Sequence, residues 1–165
     1  MKRFNRRIKG LAIIEFTIVS GFVFLLLFLI LALGAYVFSL QMVNEATRKA
    51  ARLATVCSVL DRDNIAGMVV DDIPLVGFTN ANLEVAYLDA SGSEITSGYE
   101  TNPGFGTIKF VRSRATGYGI QLISNLSFLG ENGFLAAPAF ETILPAESLG
   151  VVRAEAGTDI KSRCP

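Results

Sequence analysis

Histidine and tryptophan are absent from the 165 residues, and cysteine, methionine and proline are scarce at 2, 3 and 5. Without histidine the chain lacks the usual general base near neutral pH and the commonest metal ligand. Two cysteines without histidine leave a zinc site short of soft ligands, so no metal or other cofactor is expected. Charge is thin too, at 18% of residues against about 25% in ordinary soluble domains. The 15 basic and 15 acidic residues cancel, which leaves no net basic field to draw the chain onto nucleic acid. Apolar residues are plentiful: they make up 51% of the chain, and the mean hydropathy is +0.45. That composition excludes a disordered chain, and the length leaves room for about one ordinary domain.

The zero net charge hides a segregation. Lys2, Arg3, Arg6, Arg7 and Lys9 all precede Gly10, which leaves ten basic against fifteen acidic residues beyond it, a net −5. From Phe16 to Leu40 no residue is charged. At 1.5 Å per residue this run is about 37 Å long, against a hydrocarbon core of about 30 Å. Its apolar residues surround the helix axis, unlike the one-sided stripe of a soluble helix, and it is read as a transmembrane helix. Five leading cations outweigh Arg48, Lys49 and Arg52 after the span, which Glu45 partly offsets. The positive-inside bias therefore puts the N-terminus in the cytoplasm and the rest of the chain outside.

No strong helix breaker occurs between Leu11 and Asp61, because Gly21 and Gly34 are tolerated in membrane helices and the first proline is Pro74. Beyond the bilayer, Val43, Ala46, Ala50, Leu53, Ala54 and Cys57 recur at three- and four-residue spacing, opposite Glu45, Arg48, Lys49 and Arg52. The helix is expected to emerge, continue with an amphipathic stripe, and end between Asp61 and Gly67, where the DRDN run interrupts the pattern. Further on, Leu83, Val85 and Tyr87 alternate with Glu84 and Ala86 before a DASGS turn at Asp89–Ser93. Ile108 and Phe110 flank Lys109, and Tyr118, Ile120 and Leu122 alternate with Gly119 and Gln121. Val151–Glu155 reads as a last strand, and Gly98–Gly106 and Gly130–Pro138 as long loops. The expected architecture is α+β, a long N-terminal helix packed on a small antiparallel sheet. Its parts are a basic leader at 1–10, a membrane helix at 11–40, an emergent amphipathic helix at 41–66 and a β-rich outer domain at 67–165.

The most informative constellation lies where the chain enters the membrane. KGLAIIEF, Lys9–Phe16, places Gly10 directly after the basic leader and Glu15 five residues later. A carboxylate at the centre of an uncharged span costs roughly 2.5–3.5 kcal/mol on insertion scales, and less near an interface. One reading is a snorkelling Glu15 and a Gly10 that merely loosens the chain. The other is a processing site. Cleavage between Gly10 and Leu11 would remove every leader cation and create an ammonium on Leu11, near the Glu15 carboxylate. These groups could pair between subunits.

At these residues the sequence resembles type IV prepilins, whose short basic leader ends in glycine before a peptidase cut and whose fifth mature residue is glutamate. Within that superfamily it is most similar to TadE/TadF-like pseudopilins of the tight-adherence (Flp) pilus assembly system. IIEFTIVSGFVFLLLFLILALGAYVF and then NEATRKAARLA carry the likeness from residue 6 to about 57. SLGVVRAEAG (Ser148–Gly157) and a cysteine near the C-terminus match more loosely. Many relatives carry proline in the first third of the membrane helix, where this chain has Ser20 and Gly21, so the TadE and TadF branches are not separated. Major Flp pilins are much shorter, and the long outer domain points to a minor component. The resemblance implies a non-enzymatic protein of the bacterial inner membrane with a periplasmic or extracellular C-terminal domain. It also implies processing at Gly10 and Leu11, an assembly role for Glu15 and Phe16, and membrane, prepilin peptidase and other pilins or pseudopilins as partners.

Cys57 and Cys164 both lie on the outward side. In an oxidising compartment such a pair more often bridges than stays reduced, and closing a loop of about 107 residues contributes at most roughly 4.7 kcal/mol in the chain-entropy treatment. Two unrelated thiols are the alternative. Asp61, Asp63, Asp71 and Asp72 lack the EF-hand spacing and read as a solvated acidic surface. Gly104-Phe105-Gly106 and Gly117-Tyr118-Gly119 lack the rest of a phosphate loop, Ser91 sits in no nucleophile elbow, and Asn125–Ser127 is a chance-level sequon. No small-molecule substrate is identified. Two rival functions are a domain released by signal peptidase after Ala32-Leu33-Gly34, and a permanent single-pass protein whose outer domain binds a ligand or catalyses. The first requires an apolar core far longer than the 7–15 residues usual for a signal peptide.

Overall fold

The computed structural model describes residues 5–101, 104–121, 134–152, 160–161 and 164, with side chains for 12–101, 104–120, 135–151 and 164. Leader residues 1–4, Leu122, the Asn125–Ser127 sequon and residues 153–155 of the expected last strand lie outside the described residues. The chain divides into two compact units, Met1–Phe38 and Ser39–Pro165.

The architecture is α+β: a long N-terminal helix followed by a small antiparallel sheet. Helix α1 runs from Asn5 to Val56, so residues 5–10 of the expected leader already belong to it. None of the described side chains of the first unit is buried. In the second unit α1 turns the expected stripe inward. Val43, Ala46, Ala50, Ala54 and Cys57 are buried, together with Thr47 and Ala51, while Leu53 is half-buried.

The helix stops at Val56, earlier than the pattern around Asp61–Gly67 indicates. The cause is tertiary. Leu149 donates its N–H to the Thr55 carbonyl (2.9 Å), occupying one of the acceptors that a continuing helix would use. Gly150 crosses the helix end with φ +78°, so close that a Cβ on it would lie 2.5 Å from Ser58 Cα. Ser58 then caps a 3₁₀ turn at Val59–Asp61. The DRDN run opens a second helix where a stop was expected. α2 spans Arg62–Asp71 with Asp61 at its N-cap position and Asp63 in its first turn, where acidic side chains complement the helix dipole. Gly67 lies within it, and Pro74 follows its end.

The main sheet contains β1 (Leu83–Leu88), β2 (Phe110–Ala115) and β5 (Phe140–Pro145), antiparallel in the order β1-β2-β5. β2 begins at Phe110, two residues later than the alternation around Lys109 indicates. Three rows cross it on one face: Leu83–Ala115–Phe140, Val85–Ser113–Thr142 and Tyr87–Val111–Leu144. Thr47 of α1 hydrogen-bonds Thr142 at 3.1 Å, so this face meets the helix. The opposite face carries Glu84–Arg114–Glu141 and Ala86–Arg112–Ile143 rows, with Arg112 also paired to Glu94 at 2.7 Å. β3 (Gly119–Gln121) pairs with β4 (Phe134–Ala136), inside the stretch expected as a loop, and β6 (Val151–Val152) pairs with β7 (Ile160–Lys161). A short helix α3, Gly104–Thr107, interrupts the other expected loop.

Candidate functional site

Gly10, Leu11, Glu15 and Phe16 lie in consecutive turns of α1. Nothing in that stretch breaks the helix, and Gly10, the weakest helix former there, has no side chain to resist opening it. Phe16 is 73% exposed, and Phe22 to Leu31 present apolar side chains on every side of the axis. Thr17 donates to the Ile13 carbonyl (2.8 Å) and Ser20 to the Thr17 carbonyl (3.0 Å), which satisfies both hydroxyls without water. Among the described residues no hydrogen bond or ion pair engages Glu15. The helix is long and apolar enough to cross a membrane, and Glu15 lies near its head.

Cys57 and Cys164 are brought together in a disulfide with Cα atoms 5.4 Å apart. Cys57 is the last residue of the inward stripe. The buried Asp61 accepts the N–H of Cys164 at 3.2 Å, a contact that sequence reasoning did not anticipate and for which only its place at the head of the DRDN run is a cue. Among the other acids expected to form a solvated surface, Asp63 pairs with Arg62 at 3.1 Å and Asp72 pairs with Lys49. Asp71 is exposed. The four do not converge on a common centre, and among the described residues no cluster of three or more His, Cys, Asp or Glu is arranged to hold a metal.

Arg62 lies over the Tyr99 ring, 5.4 Å from its centroid, and Tyr99 contacts Tyr87 at 5.4 Å. Tyr87 is fully buried and its hydroxyl has no hydrogen-bond partner among the described residues; burial pushes that hydroxyl's pKa far above its ordinary value. A cavity of about 440 Å³ is lined by Arg62, Asp63, Leu83, Glu84, Glu94 and Thr116, and Arg112 engages Glu94.

Residues 10–52 match the family model of TadE-like proteins. The match begins at Gly10 and takes in Glu15, the uncharged run and the inward stripe as far as Arg52. The TadE-like segment thus holds Gly10, Leu11, Glu15 and Phe16, the four N-terminal residues expected to take part in processing and assembly. It covers about a quarter of the chain and leaves the sheet and the disulfide outside. No curated protein and no solved structure matches the chain.

Proposed function

We propose that the protein is a minor pseudopilin of the tight-adherence (Flp) pilus system. In this reading α1 holds it in the bacterial inner membrane with the N-terminus in the cytoplasm and the second unit outside. Prepilin peptidase cuts between Gly10 and Leu11, and the trimmed chain joins other pilins or pseudopilins in building a pilus used for surface attachment. One coincidence carries the reading: the TadE-like match starts at Gly10, five residues before a carboxylate that, among the described residues, has no partner at the head of an apolar helix. The disulfide agrees with an oxidising compartment for the second unit. No step is catalysed by this chain; it is a substrate of the peptidase.

Because residues 5–10 are helical, cleavage requires the first turns of α1 to open around Gly10. The new Leu11 ammonium and the Glu15 carboxylate would then enter an assembly of helices, where isolated burial is costly and pairing with another subunit offsets part of that cost. Mass spectrometry of the mature N-terminus tests the reading. Leu11 is the expected first residue, and Gly10→Leu should block trimming. An intact leader, or a chain starting at Ala35, would overturn it in favour of a permanent anchor or a signal peptide. Glu15→Gln should leave insertion and trimming intact while reducing co-purification with other pilus subunits; unchanged association would return Glu15 to a snorkelling role.

A further inference from the structure

We infer that the outer edge of β1 takes up an extended peptide of a partner protein as an added strand, with a basic residue facing Glu84 between two apolar ones. The hydrogen bonds around the sheet show which groups are open. The Asn82 carbonyl accepts the Thr116 amide (2.9 Å) and the Leu88 carbonyl the Lys109 amide (2.8 Å). The even-numbered residues of β1 therefore bond towards β2, and the odd-numbered ones turn their main-chain groups to the opposite edge. The chain begins to cover that edge itself. The Ser93 carbonyl accepts the Asp89 amide (3.0 Å) and the Tyr87 carbonyl the Ile95 amide (2.9 Å), with Glu94 bridged to Leu88 between them. The cover stops there. Leu83 donates its N–H to the Asn80 carbonyl at the end of a 3₁₀ turn. The Leu83 carbonyl and both main-chain groups of Val85 are left without a hydrogen bond among the described residues.

The cavity of about 440 Å³ lies along these open groups. Leu83, Glu84 and Val85 line it from the sheet, and Arg62 and Ala66 line it from α2, so an entering strand lies between helix and sheet. Tyr87 faces Ile95, and the same antiparallel register carried further sets three residues of the added strand opposite Val85, Glu84 and Leu83 in turn. The first and third bond to Val85 and Leu83 and direct their side chains to the inner side of the sheet, where apolar residues suit the buried Leu83 and Val85. The middle residue stands beside Glu84 on the outer face. Charge decides what it is. Asp63 is paired with Arg62 and Glu94 with Arg112, while Arg114, the neighbour of Glu84 in its row, engages Glu141 at 3.9 Å. Glu84 is exposed and has no partner among the described residues, so a lysine or arginine opposite it completes a cross-strand pair that the chain leaves open. An uncovered edge is a template for a further strand. Main-chain bonds supply the affinity, and the side chain opposite Glu84 supplies the choice.

Two short peptides probe the edge of the full chain in detergent micelles, each acetylated and carrying fluorescein at its C-terminal end: VKVT, and VEVT with the charge reversed. Their anisotropy is read against empty micelles. VKVT should bind saturably and about fivefold tighter than VEVT, the span of one exposed charge pair. The Glu84→Lys variant, altered at an exposed side chain that leaves the core intact, should invert that order. Methylating the amide nitrogens of both valines should abolish binding, because those N–H groups meet the Val85 and Leu83 carbonyls. Saturable binding that survives N-methylation would overturn strand addition. Equal affinity of the two peptides, or an order that Glu84→Lys leaves unchanged, would overturn the pairing with Glu84. No saturable binding of VKVT up to about 1 mM would overturn the site, a second copy covering the edge included.

Discussion

The carboxylate of Asp89 accepts hydrogen bonds from the Ser91 hydroxyl (2.6 Å), the Ser91 amide (2.8 Å) and the Ser93 amide (2.9 Å). The Ser91 hydroxyl first, and then the Ser93 amide, hold the carboxyl below the usual carboxylate range. A depressed folded-state pKa means that the contribution is present above the unfolded value of about 3.9. It is lost as the pH falls through the lower folded value. The Ser91 and Ser93 amides should accordingly lose hydrogen-exchange protection on acidification through that window, and Asp89→Ala should abolish the pH dependence. Equal protection on both sides of the window would show that the turn does not need the charge. This turn was legible in the residues DASGS because an Asx turn is local. The partner of Asp61 was not, because Cys164 is supplied from 103 residues away.

At the scale of elements, the emergent half of α1 was legible as a stripe, and its small residues have a further consequence. Ala46, Ala50, Ala51 and Ala54 are all at 0% exposure, which allows the helix backbone to lie close against its neighbours. Ala50→Leu should therefore overpack the contact and destabilise the fold by about 1–3 kcal/mol, read as a lowered thermal midpoint of the full chain in detergent. Arg52→Ala on the exposed side should stay within about 0.5 kcal/mol of the parent. If both substitutions shift the midpoint equally, the stripe is not a packing face. The alternation that revealed β1 holds across one face of a sheet, where Leu83, Val85 and Tyr87 all point inward. β5 escaped notice because its sequence, FETILP, alternates only between half-buried and exposed positions at a sheet edge. The division into α1 and α2 was likewise out of reach, since no residue between Val56 and Arg62 is a glycine or proline.

For the whole molecule, the disulfide ties the end of the inward stripe to the penultimate residue and closes a loop of 107 residues. In the chain-entropy treatment such a loop adds up to roughly 4.7 kcal/mol. Cys57→Ser combined with Cys164→Ser should lower the thermal midpoint of the full chain substantially, and iodoacetamide should label neither cysteine before reduction. Labelling of both without reductant would show that the bridge does not form in the protein as expressed. The sequence alone determined the properties that depend on neighbours along the chain: the basic N-terminal run, the uncharged run, the inward stripe, the DASGS turn and the KGLAIIEF constellation. Their signals are periodicities and local charge, which the backbone geometry turns directly into helix faces and strand faces. Tertiary structure alone decided the rest. The stop of α1 at Val56, the burial of Asp61 and the hydrogen bond at the Val76 carbonyl depend on Leu149, Gly150, Cys164 and Tyr118, residues 42 to 103 positions away from the groups they hold. Contacts across such separations leave no periodic trace in the chain, because they exist only once the sheet has brought its two ends to the helix.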